Sequence, residues 1–176
     1  MLTPPGQSVL EAAYRKHSEY VFGVCLKFAG GDRAWALDRA HDVFIRLHDN
    51  LPSLRLDDDL RPWLRKVAVN ECLLDLRRSE RRRRLLGLFG FAPETSAMND
   101  LGPERAHELS RDVVALDRAL GTLPAKERML LGLMYFEGES LTDAAALIGV
   151  SKGQASKLHK RALEALRQRG AWEGEP

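Results

Sequence analysis

The chain has 176 residues, of which 30% are charged and 44% hydrophobic, a globular composition that excludes a disordered or membrane-embedded protein. That length accommodates one ordinary domain or two small helical ones. A formal net charge of +2 is too small to argue for nucleic-acid binding, so the distribution of charge is the informative quantity.

Residues 1–7 are expected to fray. Ser8 with Glu11 three residues on reads as a capping box that opens a helix. Leu10, Ala13, Tyr14, Val21, Val24, Cys25 and Phe28 supply its apolar face, and Gly30 and Gly31 stop it. This start lacks the apolar run of a secretion signal, and no later stretch reaches the length needed to span a bilayer. The expectation is a cytoplasmic protein without membrane insertion. Cys25 and Cys72 are the only cysteines and stand in no CxxC, so they read as buried thiols rather than a disulfide or zinc framework.

Asp32 caps a second predicted helix through about Asp49, with Ala36, Ala40, Val43, Phe44 and Leu47 inward and Pro52 marking its end. Its polar face presents Asp38, His41, Asp42 and Arg46. Asp38, His41 and Asp42 lie at i, i+3 and i+4, a spacing that could bring ligands to a metal. One helix face offers no fourth ligand, so the reading is a solvated or partner-binding face with no metal and no cofactor. The loop Ser53 to Leu60 follows, carrying Asp57, Asp58 and Asp59.

Arg61 to Arg84 changes character along one helical run. Trp63, Leu64, Val67, Ala68 and Leu74 form a broad apolar face in its first part. Arg77, Arg78, Arg81, Arg82, Arg83 and Arg84 crowd its second, and the whole stretch holds nine Lys/Arg against three acids. Such a run either favours a helix C-terminus as a solvated surface or binds an anion. Residues 85–102, with their Gly and Pro, read as a linker whose LLGLFGF start is apolar enough to dock on a domain or a partner.

Pro103 opens a predicted helix to about Leu120, with Leu109, Val113, Leu116 and Leu120 as its seam. Pro124 opens another that ends at Gly138. Ser140 with Asp143 starts a short helix, Gly149 makes a turn, and Ser151 with Gln154 caps a last basic helix. Short helix, glycine turn and basic helix form a helix-turn-helix. Ala155, Leu158, Ala162 and Leu166 face inward on the last helix, while Ser156, Lys157, Lys160 and, at the edge, Arg161 face out, as a helix in a major groove requires. A solvated helix in a bundle is the alternative. The fold class is all-α, in two small helical domains, 8–84 and 103–170, joined by a flexible linker.

Two ordered blocks resemble bacterial RNA polymerase sigma factors of the extracytoplasmic-function type, the compact class of the sigma-70 family that keeps only domains 2 and 4. DRAHDVFIRLHDNL and WLRKVAVNECLLDLRR resemble that family's D-x-x-Q-E-x-F and W-L-x-x-I-A-x-N helices. LPAKERMLLGLMYFEGESLTDAAALIGVSKGQASKLHKRALEAL resembles its L-P-x-x-x-R start, E-G-x-S, L-G-V-S turn and basic final helix, and SKLHKRAL is also similar to flagellar-type sigma factors. The resemblance implies a domain 2 built as a three- to four-helix bundle and a helix-turn-helix domain 4. It implies that Asp38, His41, Asp42 and Arg46 meet core RNA polymerase, with His41 in place of the usual Gln and Arg39 in place of the usual Leu. It implies that Asn70 holds a flipped −10 base beside Arg77, Arg78 and Arg81, and that Ser156, Lys157, Lys160 and Arg161 contact the −35 element. The variable specificity loop would hold Asp57, Asp58 and Asp59, where a carboxylate accepting from an exocyclic amine favours cytosine or adenine. Promoter DNA and an anti-sigma factor are the further partners implied.

No nucleophile, base and oxyanion arrangement or phosphate-cradling glycine loop appears, so the chain is not read as an enzyme. Two rival readings stay open at this point. One is a two-domain helix-turn-helix regulator that binds duplex operators without polymerase. The other is a helical scaffold whose arginines bind acidic protein surfaces.

Overall fold

The computed structural model describes residues 5–30, 32–54, 59–88 and 119–170. Helix α1 (Pro5–Leu26) begins three residues before the predicted capping box, so Ser8 lies within the helix rather than at its start. Proline at a first helical position has no N–H to leave unpaired, and Glu11 pairs with Arg15 at 2.5 Å one turn on. The chain leaves α1 through a turn in which Gly30 adopts φ 61. Asp32 then accepts from the Trp35 N–H at 2.8 Å and opens α2 (Arg33–Asn50). The five inward residues predicted for α2 are its buried ones, and a 3-10 turn at Leu51–Ser53 contains Pro52.

Helix α3 (Arg61–Leu88) is the longest element, 28 residues or about 42 Å. Asp59 starts it by accepting from the Arg61 N–H at 3.1 Å. The helix continues through the arginines and four residues into the segment read as linker. Its buried face is Leu64, Ala68, Val69, Cys72 and Leu73. Leu74 is 40% exposed, a correction to the predicted seam. At 100° per residue Leu74 lies about 40° from Asn70, on the side of the helix away from that core. The apolar stretch beyond Leu88 and the helix predicted from Pro103 lie outside the described residues, except for the latter's end at 119–121.

Pro124 precedes α4 (Ala125–Leu131), which widens into a single π turn at Gly132–Phe136. Gly138, at φ 69, reverses the chain. Ser140 accepts from the Asp143 N–H at 3.1 Å and caps α5 (Leu141–Leu147). Gly149, at φ 67, makes the turn, and Ser151 and Gln154 form a reciprocal capping box on α6 (Lys152–Gln168). Leu163 joins Ala155, Ala162 and Leu166 in burial, while Leu158 is half-buried.

The two halves share a core. One hydrophobic cluster runs from Val24, Phe28, Leu47 and Leu64 of the first half into Ala125, Met129, Leu133, Ala144 and Ala155 of the second. A smaller cluster of Ala119, Leu120, Leu123, Leu131, Ala162, Leu163 and Leu166 belongs to the second half alone. Polar contacts reinforce the docking. Arg128 Nη2 donates to the Phe28 carbonyl at 2.9 Å, and the Ala125 N–H donates to Glu80 Oε2 at 3.4 Å. Gly132 belongs to this contact, since a Cβ there would stand 2.6 Å from Phe28 Cε1.

Candidate nucleic-acid interface

Three faces of this fold carry the predicted site residues. On α2, Asp38, His41 and Arg46 are exposed and Asp42 is half-buried. Carboxylates of α3 hold this face in register. Arg39 Nη1 donates to Asp75 Oδ1 at 3.2 Å, and its Nη2 lies 3.2 Å from Asp42 Oδ2. Trp35 Nε1 donates to Asp75 Oδ2 at 2.8 Å, and Arg46 Nε donates to Glu71 Oε1 at 3.0 Å. Leu37 and Ile45 are 46% and 59% exposed. With His41 they make an i, i+4, i+8 stripe beside the Asp38, Asp42, Arg46 stripe. A shallow apolar depression lined by Leu10, His41, Phe44, Ile45 and His48 adjoins them. Sequence reasoning missed Leu37 and Ile45. The available signal was two large apolar residues out of phase with the buried seam of α2.

On α3, helical phase brings Asn70, Arg77 and Arg81 within about 40° of one another, with Arg78 about 80° from Asn70. Asn70, Arg78 and Arg81 are exposed and Arg77 is half-buried. Leu74 shares this face. Of the three loop aspartates, Asp57 and Asp58 lie outside the described residues, and Asp59 is exposed at the start of α3.

On α6, Lys157, Lys160 and Arg161 are exposed and Ser156 is half-buried. Arg161 Nη2 stands 3.2 Å from Glu127 Oε1, an ion pair without hydrogen-bond alignment. Glu127 is 3% exposed. Burial pushes its carboxyl above the ordinary value, Arg161 opposes the rise and Glu80 adds to it. Behind α6, Tyr135 of the π turn stacks on His159 at 6.2 Å between centroids, and their polar atoms are 3.3 Å apart. Burial lowers the His159 imidazole below its usual value. The three faces carry an acidic and apolar stripe, an arginine row and the basic face of the last helix.

These features define a two-part, all-helical protein of the helix-turn-helix class. The Sigma-70 region 2 family model matches residues 13–83, and the Sigma-70, region 4 model matches residues 119–168. The chain therefore belongs to the sigma-70 family, and its relatives place it with the extracytoplasmic-function type. It is 28% identical over 127 residues to the ECF RNA polymerase sigma factor SigM of Mycobacterium tuberculosis, a match covering 71% of this chain and 59% of that protein. Over 54 residues it is 46% identical to the ECF RNA polymerase sigma factor SigF of Caulobacter vibrioides, covering 31% of this chain and 30% of that one. The matched part is thus about three fifths of SigM and a smaller share of SigF. In fold it is similar to the sigma factor RpoE of Bartonella quintana, solved in complex with the anti-sigma factor NepR. That match has TM-score 0.61 and 21% identity, and it covers 93% of this chain and 98% of that one.

Proposed function

We propose that this chain is a promoter-specificity subunit, which binds core RNA polymerase and directs transcription initiation at promoters with −10 and −35 elements. The observation that carries the proposal is the order of sigma-70 regions 2 and 4 on one chain. A regulator that used only its helix-turn-helix would not need the first of them. The division proposed is 8–84, a linker at 85–102 and 103–170, and the matches at 13–83 and 119–168 support it in outline. Asp38, His41, Asp42 and Arg46 form the polymerase face, with Leu37 and Ile45 as apolar anchors beside them. An acidic stripe steers toward a basic partner, and buried apolar contacts hold it there.

In this reading Asn70 receives an unstacked base of the −10 element, and Arg77, Arg78 and Arg81 hold the adjacent strand. The aspartates of the specificity loop read a neighbouring base. Ser156, Lys157, Lys160 and Arg161 lie along the −35 major groove. Polymerase supplies the catalysis. Because the two halves each contact DNA modestly, polymerase gains promoter affinity for the pair by holding them at the separation of the two elements. An anti-sigma factor is the regulatory partner, and the cytoplasm is the site of action. No helix among the described residues is long and apolar enough to cross a membrane.

The test is a pull-down of purified core RNA polymerase with the wild-type chain and with Asp38→Arg/Asp42→Arg. The wild type should be retained. Reversing two charges on the steering stripe should reduce retention at least tenfold. Failure of the monomeric wild type to bind would return the chain to the class of operator-binding regulators.

A further inference from the structure

Where the two halves meet, carboxylates of the second lie on cations of the first. Glu137 bridges two of them. Its Oε1 pairs closely with Lys27, and its Oε2 lies 3.6 Å from Arg65 Nη2. Glu139 Oε1 takes the same Arg65 Nη2 at 2.5 Å. Gly138 stands between the two glutamates, and its left-handed φ of 69 is the conformation that turns both toward the first half. Arg61 is one helical turn before Arg65, its guanidinium 5.3 Å from the Tyr20 ring centroid. The Tyr20 phenol is raised by burial and also feels Arg65, Glu137, Arg61 and Lys27. Three cations thus converge around Tyr20, and two glutamates from the other half neutralise two of them, Lys27 and Arg65, while Arg61 stays exposed beside them.

This place is separate from the face read as the −10 site. On the helical wheel Arg61 and Arg65 lie about 180° and 140° round α3 from Asn70. The fit of the covering carboxylates is also incomplete. Both approach Arg65 through Nη2, while its Nε is buried without a hydrogen-bond acceptor. A phosphate takes Nε and an Nη of one guanidinium together, in the bidentate geometry that arginine favours.

From this geometry we infer that Lys27, Arg61 and Arg65 form a second DNA-backbone site, which Glu137 and Glu139 occupy as internal stand-ins for phosphates while the two halves are docked. Opening the halves frees Lys27 and Arg65 of their carboxylates, and the phosphodiester backbone of promoter DNA replaces them. The inference rests on the promoter-binding reading, but its test needs neither polymerase nor a promoter sequence.

The experiment measures fluorescence anisotropy of a labelled oligothymidylate, and of a labelled duplex lacking promoter elements, against the full chain across a salt series. Glu137→Gln/Glu139→Gln removes the cover with minimal change of shape. If the covered form holds about nine molecules in ten, unmasking tightens apparent binding of at least one probe about tenfold. Adding Lys27→Gln/Arg65→Gln to that variant should abolish the gain and reduce the log–log salt slope by about 1.4 for the single strand, from two phosphate contacts. Glu11→Gln/Glu19→Gln removes the same charge from exposed positions and should not reproduce the gain. Circular dichroism confirms that each variant is folded. The inference is overturned if the uncovered variant binds both probes like wild type, if the control gains as much, or if the gain survives loss of Lys27 and Arg65. None of these outcomes would affect the polymerase pull-down.

Discussion

His17 shows how a single residue sets the behaviour of this core. It is 3% exposed, and its Nδ1 has no hydrogen-bond partner. Burial lowers its pKa from the ordinary 6.5, Lys16 and Arg61 lower it further, and Asp59 opposes them. The unfolded chain takes up a proton at a pH where the folded chain still refuses it. Stability is therefore full above pH 6.5 and falls as the pH drops below that value toward the folded one. The slope from this residue is at most about 1.4 kcal/mol per pH unit. His159, also lowered by burial, adds a contribution of the same sign. Replacing His17 with Leu removes the titrating group and the unmet ring nitrogen together. Urea unfolding between pH 5 and 7 should then show a flatter dependence for His17→Leu than for wild type. An unchanged slope would mean that His17 is accessible to solvent protons in the folded chain.

The joint between α2 and α3 is where element-scale energetics meet the face proposed for polymerase. Asp75 accepts from Trp35 at 2.8 Å and from Arg39 at 3.2 Å, and Arg39 in turn holds Asp42. Asp75→Ala leaves an indole N–H and a largely buried guanidinium without their acceptor, at a cost of about 3 kcal/mol. Asp75→Asn keeps one oxygen for Trp35 but turns its amide NH2 toward Arg39, losing the charge and that acceptor while Asp42 stays beside Arg39, so it should cost about 2 kcal/mol. Urea midpoints of the full chain measure both, and equal losses would place the whole contribution on the Asp75 charge and its Arg39 contact and remove the Trp35 bond from the account. Little of this joint was legible in the sequence, because partners 36 and 40 residues apart leave no periodic trace. The caps were legible. Asp32, Ser140 and the Ser151–Gln154 pair are local devices whose donors and acceptors lie within three residues. The inward face of α2 was legible for a similar reason, since one amphipathic helix on one core obeys a single phase. Helix α3 does not, because it serves a core on one side and the Asn70 row on another, and Leu74 was assigned to the wrong side. Among the candidate site residues, sequence marked the charged and polar positions but not the exposed Leu37 and Ile45 beside them. An exposed leucine is indistinguishable from a buried one until its neighbours are known.

At the scale of the whole molecule, the docking of the two halves has to be reconciled with reading two promoter elements. The −10 and −35 elements are about 25 base pairs apart, roughly 85 Å along B-form DNA, whereas α3, the longest described element, spans about 42 Å. In the promoter-specificity reading proposed above, the shared core therefore parts before both faces engage one promoter, and Phe28 packs against Gly132 across that core. A methyl group at position 132 would lie 2.6 Å from Phe28 Cε1 and 3.1 Å from Cδ1. Phe28 is only 2% exposed and its carbonyl holds Arg128, so the ring has little room to yield. Overpacking of this kind costs about 1–3 kcal/mol, against a helix-propensity gain for alanine of at most about 1 kcal/mol. Gly132→Ala should accordingly loosen the docking. Small-angle scattering should show a radius of gyration above the roughly 16 Å of a compact chain of this length. Phe28→Ala alone leaves a cavity and costs about 3–5 kcal/mol. In the double variant the added methyl occupies part of that cavity, so its loss should fall short of the summed single losses by about 1 kcal/mol or more. Strictly additive losses with an unchanged radius would place Phe28 and Gly132 out of contact in solution, and would mean that the halves are already apart before polymerase arrives.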